Sequence, residues 1–189
     1  ERDCYRFLMI YLNCSLRDLF SKHHNFLEKA RNRAFSMYMK PLMAEIDISS
    51  KEPLPNQSLY KRVTNKDFRW IGLKNKVSED LLKLLQDEES LLSQGAVIKN
   101  EEGHLVVKIN FSGRSLFVKK YRIKNILHKI RKFFNKTRAR NSWEALHWLN
   151  SVGIRTMKPV LIYEELGLSG ALNSVLVTEE IEGKRLDRA

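Results

Sequence analysis

The sequence predicts an α+β fold: a five-stranded antiparallel sheet with one well-marked helix, preceded by an N-terminal helical segment. Three observations predict it. Apolar residues within positions 5–39 recur at spacings of three and four, the period of an amphipathic helix. The middle of the chain carries three short β-rich runs parted by turn residues that end in glycine. After them a helical stretch closed by Gly153 leads into two further β-rich runs.

Taken in order, Tyr5, Leu8, Met9 and Leu12, then Phe26, Leu27, Ala30 and Ala34, place two helices on either side of an interruption at 21–25. His23 and His24 are adjacent and share no helix face as two metal ligands would. Residues 41–67 lose the periodicity; Pro41, Pro53, Pro55 and Ser49-Ser50 mark a linker or an irregular crossing segment, and the expected domain boundary. Phe68 and Trp70-Ile71 form an apolar anchor. Ser78 followed by Glu79-Asp80 predicts a helix start, with Leu81, Leu82, Leu84 and Leu85 behind it. Strands are expected at Ala96–Ile98, Leu105–Ile109 and Ser115–Lys119. Ile123, Ile126, Ile130 and Phe134 line one helix, and Trp143, Leu146, Trp148 and Leu149 a second. Pro159–Tyr163 and Ser174–Thr178 complete the sheet, joined through the Gly167–Gly170 turn region.

Composition removes several classes. A chain of 189 residues with 43% hydrophobic and 30% charged residues can bury a core. Two cysteines, Cys4 and Cys14, make no disulfide framework, and no Cys/His spacing resembles a zinc site. No apolar run approaches the roughly 18 residues of a membrane-spanning helix. The opening Glu1-Arg2-Asp3 has no signal-peptide profile, and with the abrupt ending it predicts a piece of a longer polypeptide.

The net charge of +12 is unevenly placed. Between Gly103 and Trp143 there are twelve Lys and Arg and no acid, while the rest of the chain is balanced. A block of one sign attracts anions, and nucleic acid, anionic lipid headgroups and substrate phosphates all fit. A solvated basic face is the plainer reading.

The element order β-β-β-α-β-β is that of the small lobe of a protein-kinase-like fold. Such a lobe needs few chemical side chains, because phosphoryl transfer is catalysed mostly by positioning and charge neutralisation. It needs a lysine near the end of the third strand for nucleotide phosphates, a carboxylate on the following helix to orient it, and free backbone after the fifth strand for adenine. Lys119 and Lys120 both end the third strand, and alternation puts them on opposite faces, so only one can face a cleft.

Four segments follow in order: Leu116-Phe117-Val118-Lys119-Lys120-Tyr121-Arg122, Thr137 to Leu146, Leu149-Asn150-Ser151-Val152-Gly153-Ile154-Arg155-Thr156, and Val175 to Gly183. Over residues 68–189 the chain resembles the lipopolysaccharide kinase family (Kdo/WaaP, InaA type), bacterial kinases that phosphorylate lipopolysaccharide inner-core sugars with ATP. The resemblance implies Lys119 as the phosphate lysine, Thr178 as the gatekeeper, and Glu179 and Ile181 as backbone partners of adenine. Gly103, in the first hairpin turn, would sit at the nucleotide phosphates, although one glycine does not make a glycine-rich loop. The orienting acid is expected at Glu144, since Ser142 stands where some relatives have Glu before the Trp. ATP is the implied cofactor. Mg²⁺ is implied with it, its ligands and the catalytic aspartate belonging to a large lobe beyond this sequence, so that the chain alone is expected to be inactive.

The resemblance further implies a lipopolysaccharide core sugar or lipid-linked precursor as substrate, and a cytoplasmic site at the inner face of the bacterial inner membrane. The basic helix beginning near Ile123, with an apolar face bordered by Lys and Arg, would lie on that anionic surface. Residues 6–12 and the basic helix after them resemble the closing helices of the same family's large lobe, which would make 1–40 the tail of a preceding kinase unit; a helical extension packed on the small lobe is the alternative. Two other functions compete. A non-catalytic nucleic-acid module would draw on the basic block, but no RNP-like or KH-like pattern appears and no specific nucleic acid is expected. A degenerate kinase scaffold is kept open by Ser142.

Overall fold

A computed structural model describes residues 29, 32–33, 35–52, 54–122, 136–167 and 170–181. The expected helices before residue 29, the basic helix at 123–135 and the residues after Ile181 lie outside these. The described chain begins with a π-helical turn, Phe35–Met39, that runs into α1, Lys40–Glu45. An irregular stretch leads to β1, Tyr60–Thr64, and β2, Phe68–Leu73. Helices α2, Glu79–Gln86, and α3, Glu88–Gln94, precede the meander β3, Gly95–Glu101, β4, His104–Phe111, and β5, Arg114–Tyr121. Helix α4, Arg138–Ser151, and strands β6, Pro159–Gly167, and β7, Gly170–Glu179, close the described chain.

The strands form one antiparallel sheet in the order β1-β2-β6-β7-β5-β4-β3. The five expected strands are contiguous within it. Two more extend the sheet from the far side of β6, with Ile71 of β2 opposite Ile162. The strand count therefore rises from five to seven, and the class holds.

Local chemistry explains the boundaries. Ser78 caps α2 by accepting the Leu81 N–H at 3.2 Å, with Glu79 and Asp80 favourably placed against the helix dipole. Asp87 ends α2 and caps α3 through the Glu89 N–H, so the expected single helix becomes two. Ser112 and Gly113 both take positive φ, 51° and 73°, the two-residue turn that matches strand twist between β4 and β5. Gly153, at φ 83°, stops α4.

Each face of the sheet carries a core. On one, Leu81, Leu84, Leu85 and Leu91 from α2 and α3 cover Leu105, Val107, Leu116, Val118, Val175 and Val177. On the other, Ala139, Trp143 and Leu146 of α4 meet Tyr60, Ile71, Ile162 and Leu176, together with Ile46 and Ile48. Those two isoleucines are buried, at 0% and 1% exposure, within the stretch read as a linker. The Trp143 indole N–H donates to the Ile46 carbonyl at 3.0 Å, and Arg140 reaches Asp47. Arg62 of β1 donates to the carbonyls of Ala44, Glu45 and Glu52. Residues 41–67 are thus built into the fold. Pro and Ser content alone did not separate a linker from an irregular crossing segment, because the latter needs only a few apolar anchors and carries no period.

Helix α4 lies over β5, β6 and β7. The same face of β4 and β5 is covered less fully. On β5, Leu116, Val118 and Lys120 are buried, whereas Phe117, Lys119 and Tyr121 are half-buried. Of these, Lys119 and Tyr121 border the N-terminal end of α4, sharing a cleft with Arg138.

Candidate nucleotide-phosphate site

Lys119 and Lys120 part as strand alternation requires. Lys120 turns to the α2–α3 face, 6% exposed, where its ammonium lies 3.1 Å from the Glu88 carboxylate; Arg122 binds the other oxygen of the same group. Burial alone would raise the Glu88 pKa, but hydrogen bonds from Arg122 and Lys120 outweigh it and hold the carboxyl below its usual value. Lys120 is therefore engaged structurally.

Lys119 turns to the α4 face, opposite Val106 on β4 and Leu176 on β7. Its Nζ lies 4.0 Å from the Met157 sulfur, and among the described residues it forms no ion pair. Half-burial without a counter-charge lowers its pKa. The side chain lines a cleft of about 260 Å³ with His104, Val106, Tyr121 and Arg138. Among the described residues no carboxylate lines that cleft.

The remaining expected site residues divide. Thr178 is fully buried, and its Oγ1 lies 3.7 Å from the same Met157 sulfur that Lys119 touches, so these two residues do converge. Gly103 is buried at the β3–β4 turn, and its carbonyl accepts the Arg122 N–H at 3.1 Å. Positive φ among the described residues occurs at Ser112, Gly113 and Gly153 and not at Gly103, which lies in the short turn between the paired Glu101 and His104. The Glu179 N–H is engaged by the Lys158 carbonyl at 2.9 Å and its carboxylate by Lys76 at 2.6 Å. Ile181, just past β7, is 37% exposed.

Glu144 is not brought to Lys119. Its two oxygens take Lys136 at 2.6 Å and Arg140 at 3.0 Å, on the side of α4 that faces Asp47. The physical reason is local: Arg140 stands one helical turn before Glu144 and captures it.

Three residues near this site were missed in the sequence. Met157, in the loop before β6, bridges Lys119 and Thr178. Arg138, first residue of α4, lines the cleft; it was visible only as one cation of twelve. Glu164 is 0% exposed on β6, where it accepts from Arg69 at 2.6 Å and from Thr137 Oγ1 at 2.5 Å. Thr137 is the N-cap of α4, accepting the Arg140 N–H at 3.1 Å, so a buried carboxylate pins the start of the helix.

A phosphate-bearing ligand fits the donor set of this cleft, an ammonium and a guanidinium with no competing acid among the described residues. Among the same residues no group of three or more His, Cys, Asp or Glu is placed to hold a metal ion. No helix among them is long and apolar enough to cross a membrane.

A strand lysine turned into a groove beside the following helix is the arrangement of a kinase-type small lobe. Residues 88–186 match the lipopolysaccharide kinase (Kdo/WaaP) family, and the chain belongs to that family. No curated protein matches it. Among solved structures, WaaP in complex with acyl carrier protein is 26% identical over 57% of this chain, with a TM-score of 0.39. The chain spans 40% of the length of that protein.

Proposed function

We propose that this chain is the ATP-binding small lobe of a kinase that phosphorylates a sugar of the lipopolysaccharide inner core. The observation that carries the reading is Lys119, half-buried and without an acidic partner among the described residues, facing a cleft beside α4 next to Thr178. In that position an ammonium group can neutralise nucleotide phosphates, the main task this lobe has in phosphoryl transfer. Thr178, which shares the Met157 sulfur with Lys119, would act as the gatekeeper, and the backbone from Glu179 to Ile181 would meet adenine. Mg²⁺ would be held by aspartates of a large lobe, which also supplies the catalytic base. Phosphate transfer is therefore expected only from a polypeptide that carries both lobes. The acid-free stretch would hold such an enzyme at the anionic inner face of the bacterial inner membrane, near a lipid-linked substrate.

The test compares the two neighbouring lysines. Lys119→Met should weaken ATP binding at least about tenfold, the loss of one strong charge-assisted contact. Lys120→Met should keep ATP affinity while lowering the urea midpoint, because it breaks the Glu88 pair. Isothermal titration and denaturation of each variant decide it; equal losses of ATP affinity would remove the reading. A scaffold role draws on one observation, the engagement of Glu144 by Lys136 and Arg140. ATP binding without turnover in a two-lobe polypeptide would favour it.

A further inference from the structure

Eight cations of the acid-free stretch are described, and five of them are paired: Lys108 with Glu180, Lys120 and Arg122 with Glu88, and Lys136 and Arg140 with Glu144. Arg114, Lys119 and Arg138 form no ion pair among the described residues. Arg114 stands at the exposed β4–β5 turn, whereas Lys119 and Arg138 line the same cleft.

The place of Arg138 is fixed from below. Thr137, the residue before it, caps α4 and donates to the buried Glu164, which Arg69 holds in turn. The first turn of the helix is thereby tied to β6, and the guanidinium is carried on a rigid element. Lys119 reaches the cleft from its half-buried strand and Arg138 from the exposed first turn of α4, so an anion bound there would meet a cation on each side.

We infer that Arg138 is a second phosphate-binding residue, and that it and Lys119 grip successive phosphates of a polyphosphate chain. The planar fork of the guanidinium suits two oxygens of one phosphate; the ammonium acts as a point charge on the next. The cation pair takes over the neutralising role, and no carboxylate–lysine contact is needed to align the cleft. This inference rests on the nucleotide reading for the identity of the ligand, but its own content is the anion grip.

The experiment measures binding of ATP, inorganic tripolyphosphate and adenosine to the full 189-residue chain by isothermal titration. Tripolyphosphate is expected to compete with ATP. Arg138→Gln should weaken both anions about tenfold or more and leave adenosine unchanged. Arg138→Lys should recover part of the loss, and the thermal midpoints should match the parent because Arg138 is exposed. Lys83→Gln, an equal loss of charge on α2 and the opposite face, should change nothing. If Arg138→Gln binds both anions as the parent does while Lys119→Met loses them, the inference fails and the nucleotide reading stands. If tripolyphosphate binds through Arg138 but ATP does not bind, the grip stands and the nucleotide reading fails. Binding of neither anion overturns both.

Discussion

His147 shows how one side chain can set a pH response far from any chemistry. Its ring sits 4.3 Å from that of Trp143 and 5.5 Å from that of Tyr60. Its Nδ1 lies 3.4 Å from the Tyr60 hydroxyl, and its Nε2 has no partner among the described residues. Burial in this aromatic nest lowers its pKa from 6.5 to about 4. The charged form is disfavoured in the native state, so between those values the unfolded chain binds more protons. The stability from this group is complete above pH 6.5 and is lost as the pH falls toward 4. Wild-type unfolding free energy should drop by about 1–2 kcal/mol between pH 7 and 5 from this residue. In His147→Phe that portion should vanish. Urea titrations at the two pH values check it; an unchanged slope would place the titration elsewhere.

At the scale of the element, the N-terminus of α4 is the joint between fold and site. Thr137 satisfies a helix N–H and a buried carboxylate together, so Thr137→Ala removes a cap and strands one oxygen of Glu164. The expected cost is about 1.5–4 kcal/mol, with most of it recovered by Thr137→Ser. Urea unfolding of the two variants measures it, and a loss below about 0.5 kcal/mol would show that the Glu164 link is not made in solution. Neither this link nor the Arg138 cleft was legible in the sequence. Periodicity exposes what faces a core, so the meander, Ser78, Gly153 and the opposite faces of Lys119 and Lys120 could all be read. The partner of a polar group depends on register between distant strands. Glu164 meets Arg69 because β2 pairs with β6, and β2 was not foreseen as a strand. The pairing of Glu144 was hidden for a related reason: its oxygens are taken by Lys136, just before α4, and by Arg140, one turn earlier on the same helix, and neither contact follows from the spacing that suggested an orienting acid.

For the whole molecule, the question is whether residues before the family match are an appendage. They supply Ile46, Ile48, Tyr60, Trp70 and Ile71, each no more than 7% exposed, to the two cores. At about 1.5–3 kcal/mol for each buried large apolar side chain, their removal forfeits on the order of 8–15 kcal/mol. That is as large as the total stability of an ordinary domain, about 5–15 kcal/mol. Deletion would also strip β2 from β6, leaving the central Ile162 strand as an unpaired edge, and would uncover Trp143 and Leu146 on α4. A shortened chain that starts at Lys76 would keep every expected nucleotide residue. Even so, residues 76–189 alone should unfold without a cooperative transition and bind a hydrophobic dye in buffer. The full chain should show a sigmoidal urea curve and resist trypsin at Lys61 and Arg62, where a true linker would be cut first. Cooperative unfolding of 76–189, with ATP affinity equal to that of the full chain, would make the residues before Lys76 dispensable and return 41–67 to the status of a tether.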